Sequence, residues 1–72
     1  MRYAVVMEKS KKNYSAYVPD VPGCITTGRT PEITIKRLAE ALEMHLGGLR
    51  EDGLPIPGAN TAVDYITPGE AG

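Results

Sequence analysis

Nine carboxylates, one histidine and one cysteine are the side chains of this sequence that could take part in acid–base, metal or nucleophilic chemistry. The acids are Glu8, Asp20, Glu32, Glu40, Glu43, Glu51, Asp52, Asp64 and Glu70. Cleavage of a phosphodiester by a metal pair needs several acids that converge on the two cations. The first predicted strand carries no acid at its centre, between residues 3 and 7. We therefore predict solvated surface acids and no catalytic metal.

The histidine and the cysteine have no neighbours in the sequence that would make them reactive. His45 lies beside the apolar stripe of a predicted helix, next to Leu42 and Leu46, and we expect it to be half-exposed. Cys24 opens a predicted strand beside an apolar residue, which favours a small buried thiol over a nucleophile. We predict that the protein is not an enzyme and that it binds no cofactor.

The length of the chain and its net charge argue against several classes of function. A chain of 72 residues forms one domain, and a domain of this size buries only about 60% of its unfolded surface. The net charge of −1 argues against unaided binding of a nucleic acid backbone, so we expect no direct DNA binding. The apolar run near the N-terminus is too short for a signal peptide or a membrane span, which favours a soluble cytoplasmic protein.

The stretch from Val18 to Gly28 is predicted to be a stiff corner between two strands. Pro19 and Pro22 each fix φ and donate no hydrogen bond, and Gly23 tolerates a positive φ. We expect a first strand over residues 2–8, a hairpin loop over 9–13, a second strand over 14–18 and a third strand over 24–27. Two successive antiparallel connections of this kind make a meander.

An amphipathic helix is predicted over residues 31–52. Thr30 is a suitable N-cap and Pro31 is favoured in the first turn. Gly47 and Gly48 either weaken the last turns or mark a close approach of another backbone. Gly53 is predicted to end the helix as its C′ residue. The apolar stripe consists of Ile35, Leu38, Ala39, Leu42, Leu46 and Leu49.

These elements predict an α+β fold of order β-β-β-α-β. A fourth strand over residues 61–67 is expected to lie beside the first strand, which gives the sheet order 3-2-1-4, with the helix on one face. We expect residues 1–67 to form this domain and residues 68–72 to form a short flexible tail.

Residues at exposed edges are the candidates for contact with a partner. In the predicted sheet the third and fourth strands are edges without lysine or internal proline to block pairing. The small core favours a homodimer or a higher homo-oligomer. The candidate contact residues are Lys11, Lys12, Ile25, Thr27, Val63 and Tyr65.

Taken together, several short motifs resemble the HicB-like antitoxin family, also called the UPF0150 group. The structural motif residues are Pro19, Asp20, Pro22, Gly23, Cys24, Gly28 and Thr30, and further matches are the segments 14–17, 39–42, 52–53 and 55–57. The resemblance implies a degraded RNase H-like fold without the nuclease's acids. It also implies a partner, a small HicA-type toxin of double-stranded-RNA-binding-like fold that cleaves messenger RNA and that the antitoxin blocks sterically.

The resemblance leaves two other functions open. Full antitoxins of this type carry a C-terminal DNA-binding module, and with six residues after Ile66 we expect none in this chain. One alternative is an RNA-binding or residual nuclease protein of RNase H-like descent. The other is a free-standing homo-oligomer with an unrelated partner.

Overall fold

The computed structural model describes residues 1–69 and contains three strands and one helix in that part of the chain. They are β1 (Val6–Lys9), β2 (Tyr14–Tyr17), β3 (Ile25–Gly28) and α1 (Pro31–Glu51). The strands form one antiparallel sheet of order β1-β2-β3. The predicted α+β class and the meander are confirmed, and the predicted strand ends differ from the observed ones by at most four residues.

The register of the strands decides which side chains meet the helix. Met7 lies opposite Ala16, and Ala16 lies opposite Thr26. Ala16 is buried in the core, Met7 packs against that core, and the Thr26 hydroxyl donates to the Thr34 carbonyl of α1 at 3.2 Å. This row therefore faces the helix. The buried hydrophobic cluster is completed by Val18, Val21, Cys24 and Leu38.

Both ends of α1 are formed as local sequence chemistry predicts. The Thr30 side chain accepts from the Ile33 amide at 3.1 Å, as an N-cap does. At the other end the Gly53 amide donates to the Arg50 carbonyl and the Leu54 amide to the Leu49 carbonyl. With Gly53 at φ +68, these two bonds make a Schellman motif.

The glycines of the helix and the glycine that ends β3 differ in what surrounds them. A Cβ placed on Gly47 or Gly48 would meet nothing within 4 Å, so these residues mark no close approach of another backbone. At Gly28 a Cβ would lie 2.6 Å from Thr34 Oγ1 and 3.0 Å from the Thr34 amide nitrogen. Gly28 therefore allows β3 and the first turn of α1 to approach each other closely.

The predicted fourth strand is absent from the described residues, and the sheet order 3-2-1-4 is corrected to β1-β2-β3. Residues 61–67 pair with no strand, and the side chains of Val63, Tyr65 and Ile66 are 57%, 88% and 90% exposed. A strand needs a neighbouring backbone for its hydrogen bonds, and the start of this segment is bonded instead to the Asp20 side chain. Residues 68 and 69 of the predicted tail form a turn, and residues 70–72 lie outside the described part.

Candidate partner-binding surface

The corner between β2 and β3 is a compact, hydrogen-bonded loop. The Val18 amide donates to the Cys24 carbonyl at 3.1 Å, the Val21 amide to the Val18 carbonyl at 3.1 Å, and the Cys24 amide to the Val21 carbonyl at 3.2 Å. Gly23 has φ +84, a conformation in which other residues are strained. These contacts confirm the stiff corner predicted from the two prolines and the glycine.

The corner also holds the chain that follows the helix, through Asp20. Its Oδ2 accepts from the Asn60 and Thr61 amides at 3.1 and 2.9 Å, and its Oδ1 accepts from the Thr61 hydroxyl at 2.8 Å. The Thr61 amide and hydroxyl stabilise the ionised carboxylate and lower its pKa. We call this contact the Asp20 clamp, and the phenol of Tyr3 makes a second attachment by donating to the Pro57 carbonyl.

No signal in the sequence predicted the clamp, although Asp20 belongs to the predicted motif. Its partners lie 40 and 41 residues away in the chain, so only the folded structure brings them together. The one available indication was that Asp20 stands between two prolines, where an acidic side chain is held in a fixed direction. This position does not show which residues bond to the Asp20 carboxylate.

The side of the sheet that faces away from α1 carries a row of apolar side chains. Val6 lies opposite Tyr17, and Tyr17 lies opposite Ile25. Because successive residues of a strand point to opposite faces, these three lie on the side opposite Ala16. Tyr17 is 38% exposed and Ile25 is 61% exposed. We call this side the open face, and its second row is polar and consists of Glu8, Ser15 and Thr27.

A depression adjoins the open face at the corner. Its volume is about 290 Å³, and its walls are the apolar and ring side chains of the corner and of the two strand ends. Tyr17 and Ile25 belong both to this depression and to the open face, so the two form one continuous apolar surface. The other lining residues are Val18, Pro19, Val21, Pro22, Gly23 and Cys24.

The predicted contact residues fall into three separate places. Ile25 and Thr27 are both exposed on β3 and share the open face. Lys11 and Lys12 are exposed in the loop between β1 and β2. That loop is at the other end of the sheet from the corner, because Lys9 and Tyr14 pair there. The remaining two, Val63 and Tyr65, lie in the exposed segment after the clamp.

Edge pairing at β3 is restricted by the helix. The Arg37 guanidinium donates to the Thr27 carbonyl at 3.0 Å, so one backbone acceptor of that edge already has a partner. The second edge of the observed sheet is β1, where we had expected the fourth strand. The open face, in contrast, has no such cover among residues 1–69.

The residues that could carry chemistry are dispersed in the structure. Cys24 is buried, and this burial raises the pKa of its thiol. His45 is more exposed than the predicted half-exposed state. Among residues 1–69 no three His, Cys, Asp or Glu side chains are grouped so that they could hold a metal ion. In the same range no helix is long and apolar enough to cross a membrane.

Comparison with known proteins assigns the family. Residues 3–70 match the model of the HicB_like antitoxin of bacterial toxin-antitoxin system. The chain belongs to this family. The chain is also similar to a UPF0150 protein of Helicobacter pylori. The two are 39% identical over 49 residues, which make up 68% of each chain. A UPF0150 protein of Thermoplasma acidophilum is 31% identical over 61 residues.

The HicB-like fold is also found in a solved structure of a HicA3 and HicB3 toxin-antitoxin complex. The match has a TM-score of 0.69 and 28% identity, and it covers 83% of this chain and 70% of that chain. A 14.9 kDa protein of Haemophilus phage HP1 is 36% identical over 66 residues, which are 92% of this chain. The chain spans half the length of that phage relative.

Proposed function

We propose that this HicB-like protein is an antitoxin, or an antitoxin-derived binding module, that binds a small HicA-type toxin and blocks it sterically. The observation that supports this most is the structural likeness to a chain of a toxin-antitoxin complex, at a TM-score of 0.69. The family assignment over residues 3–70 points in the same direction. We place this interaction in the cytoplasm, and we expect the chain itself to catalyse no reaction.

The open face is the surface that we propose for the toxin. It presents two rows of side chains on a rigid sheet, and rigid presentation lowers the entropic cost of binding. Tyr17 and Ile25 supply apolar area at its centre, and tyrosine is enriched at protein interfaces. The adjoining depression at the corner can receive a side chain of the partner.

The binding mode that we propose is face-to-face packing rather than the addition of a toxin strand to β3. The Thr27 carbonyl already accepts from Arg37, so a strand added to that edge would have to displace this bond. Packing on the face needs no such rearrangement. Occupation of the toxin's RNA-binding surface would then exclude its substrate by volume alone. An RNase H-like origin, which the family resemblance implies, is compatible with three antiparallel strands followed by a helix.

Pull-down from the native host, and co-expression with any small basic protein encoded next to this chain, test the proposal. We expect the two proteins to purify together and the growth arrest caused by the toxin to be relieved. If no such protein co-purifies and no toxicity is relieved, the antitoxin proposal fails, and the chain is a free-standing homo-oligomer with another partner. Cleavage or tight binding of RNA by the purified chain would instead support the RNase H-derived alternative.

Replacement of Ile25 by Asp tests which surface is used. A charge at the centre of the apolar row should weaken toxin binding by at least about tenfold, measured by titration calorimetry. The melting temperature should change little, because Ile25 is 61% exposed. Met44→Asp is the matched control, since Met44 is 79% exposed on the helix. If the Ile25→Asp variant and the wild type bind the toxin with equal affinity, the open face is excluded as the binding surface.

A further inference from the structure

A second apolar surface lies on the helix side of the sheet. The helix packs on β3 and β2, and it leaves the chain before β1 less covered. Between that chain and α1 lies a groove of about 170 Å³, which we call the β1–α1 groove. The side chains that line it carry no charge, and its volume is of the order of one large side chain. The lining residues are Met1, Tyr3, Val5, Val18, Ile35, Leu38, Ala39 and Leu42.

A segment with the matching pattern is present in the same chain but contacts no core. We call residues 62–67 the arm. In an extended segment Val63 and Tyr65 share one apolar face, and Asp64 and Ile66 share the other. The exposed fractions of 57%, 88% and 90% at Val63, Tyr65 and Ile66 are unusual for apolar side chains. The radius of gyration of 14.7 Å exceeds the value of about 11 Å expected for a compact chain of this length.

The arm does not line the groove of its own chain. The Asp20 clamp holds Asn60 and Thr61 at the corner, and the arm begins at the next residue. The groove wall formed by Tyr3 is linked to Pro57 of the preceding segment. With these attachments in place, the groove stays open to a second copy.

We propose that the arm of one copy seats in the β1–α1 groove of a second copy, and that two copies exchange arms in this way. Val63 and Tyr65 then face the groove, and Tyr65 fills most of its volume. The arm lies along the free edge of residues 1–5, the chain that leads into β1, and hydrogen-bonds to it as an added strand. Each copy contributes one arm and one groove, so the contact is self-complementary and closes as a symmetric dimer.

Charge complementarity supports this orientation. Met1, Tyr3 and Val5 line the groove, so the alternating residues Arg2 and Ala4 point to the other side of the chain. In a seated arm Asp64 likewise points away from the groove, on the same side as the exposed Arg2. Opposite charges on neighbouring strands are favourable.

The groove accepts one large side chain of the arm, so the free edge of the chain before β1 must supply the rest of the contact. Specific protein–protein interfaces bury about 1,200–2,000 Å² in total, and an exchange of arms makes the same contact twice. This inference does not depend on the antitoxin proposal, because it concerns copies of this chain alone.

The oligomeric state of the purified chain tests the proposal, by light scattering over a range of concentrations. We expect a dimer for the wild type and for the control Met44→Asp. We expect Tyr65→Asp in the arm and Ala39→Glu in the groove each to weaken the dimer by at least about tenfold. Both positions are exposed in the single chain, so circular dichroism should show an unchanged fold.

Mixing the two variants decides whether arms are exchanged. Ala39→Glu retains a good arm and Tyr65→Asp retains a good groove, so an equal mixture should form mixed dimers that neither variant forms alone. A monomeric wild type would overturn the proposal and would be the result if the arm folded into its own groove. A dimer that survives Tyr65→Asp would also overturn it, as would the absence of mixed dimers.

Discussion

Asp20 is a single side chain that fixes the position of the whole segment after the helix. Its carboxylate accepts three hydrogen bonds from Asn60 and Thr61. Hydrogen bonds to the ionised form lower the pKa of Asp20 below its ordinary value of 3.8. The contribution of the clamp is therefore fully present above that value and is lost as the pH falls through the lowered pKa.

We predict that Asp20→Asn loosens this segment at neutral pH as acid does in the wild type. The amide and hydroxyl of Thr61 donate to different oxygens of Asp20, and an asparagine keeps only one of these acceptors. The amide resonances of Asn60 and Thr61 in a ¹H–¹⁵N correlation spectrum report the change.

Asp64→Asn is the control for the clamp, because the Asp64 carboxylate accepts from the adjacent Tyr65 amide at 2.7 Å. It should leave the resonances of Asn60 and Thr61 in place. Wild-type resonances at these two amides that do not move between pH 6 and about pH 2 would contradict the assigned role of Asp20.

Residues whose contacts are local were predictable, and residues whose contacts cross the chain were not. The Thr30 cap depends on a residue three positions away, and Gly53 depends on the last turn of its own helix. Their side-chain and backbone chemistry is sufficient to place them. Asp20 could be recognised as part of a motif, but its hydrogen-bond partners follow only from the path of the chain after α1.

At the scale of elements, the junction between β3 and α1 depends on Gly28. A Cβ at this position would lie 2.6 Å from Thr34 Oγ1 and 3.2 Å from Ile33 Cγ2. Thr34 cannot yield easily, because it is fully buried and its hydroxyl donates to the Thr30 carbonyl at 2.7 Å. The strand and the helix would have to separate.

We predict that Gly28→Ala lowers the free energy of unfolding by about 1–3 kcal/mol, the range of overpacked sites. Urea denaturation followed by circular dichroism measures it. Gly48→Ala is the matched control: Gly48 is exposed within α1 and nothing lies within 4 Å of the added methyl. That change should stabilise the protein by about 0.5–1 kcal/mol. Equal stabilities for the two variants would show that the junction tolerates a side chain.

The elements themselves were largely predictable because each has a strong local pattern. Strand alternation, the corner prolines and the capped amphipathic stripe place β1, β2, β3 and α1 within a few residues. The prediction of a fourth strand was wrong for the single chain, although Val63, Tyr65 and Ile66 have high β propensity. Propensity describes a residue's fit to a sheet, and pairing also requires a free edge that the segment can reach.

At the scale of the whole molecule, residues 1–69 present an apolar surface on each side of the sheet. The open face is centred on Tyr17 and Ile25, and the β1–α1 groove lies under the other side. A seated arm would extend the sheet beyond β1 and would place Ile66 on the same side as Val6. The arm therefore does not compete with a partner on the open face.

We predict from this arrangement that this chain and the proposed toxin form a complex of two copies of each. Native mass spectrometry of the co-purified complex gives this stoichiometry directly. A chain that ends at Thr61 retains every core residue and lacks the arm, so its complex should contain one copy of each protein. A toxin that splits the wild-type dimer into complexes of one copy each would show that the two surfaces compete. A dimer formed by the truncated chain would place the contact between copies elsewhere than in the arm, while leaving toxin binding at the open face intact.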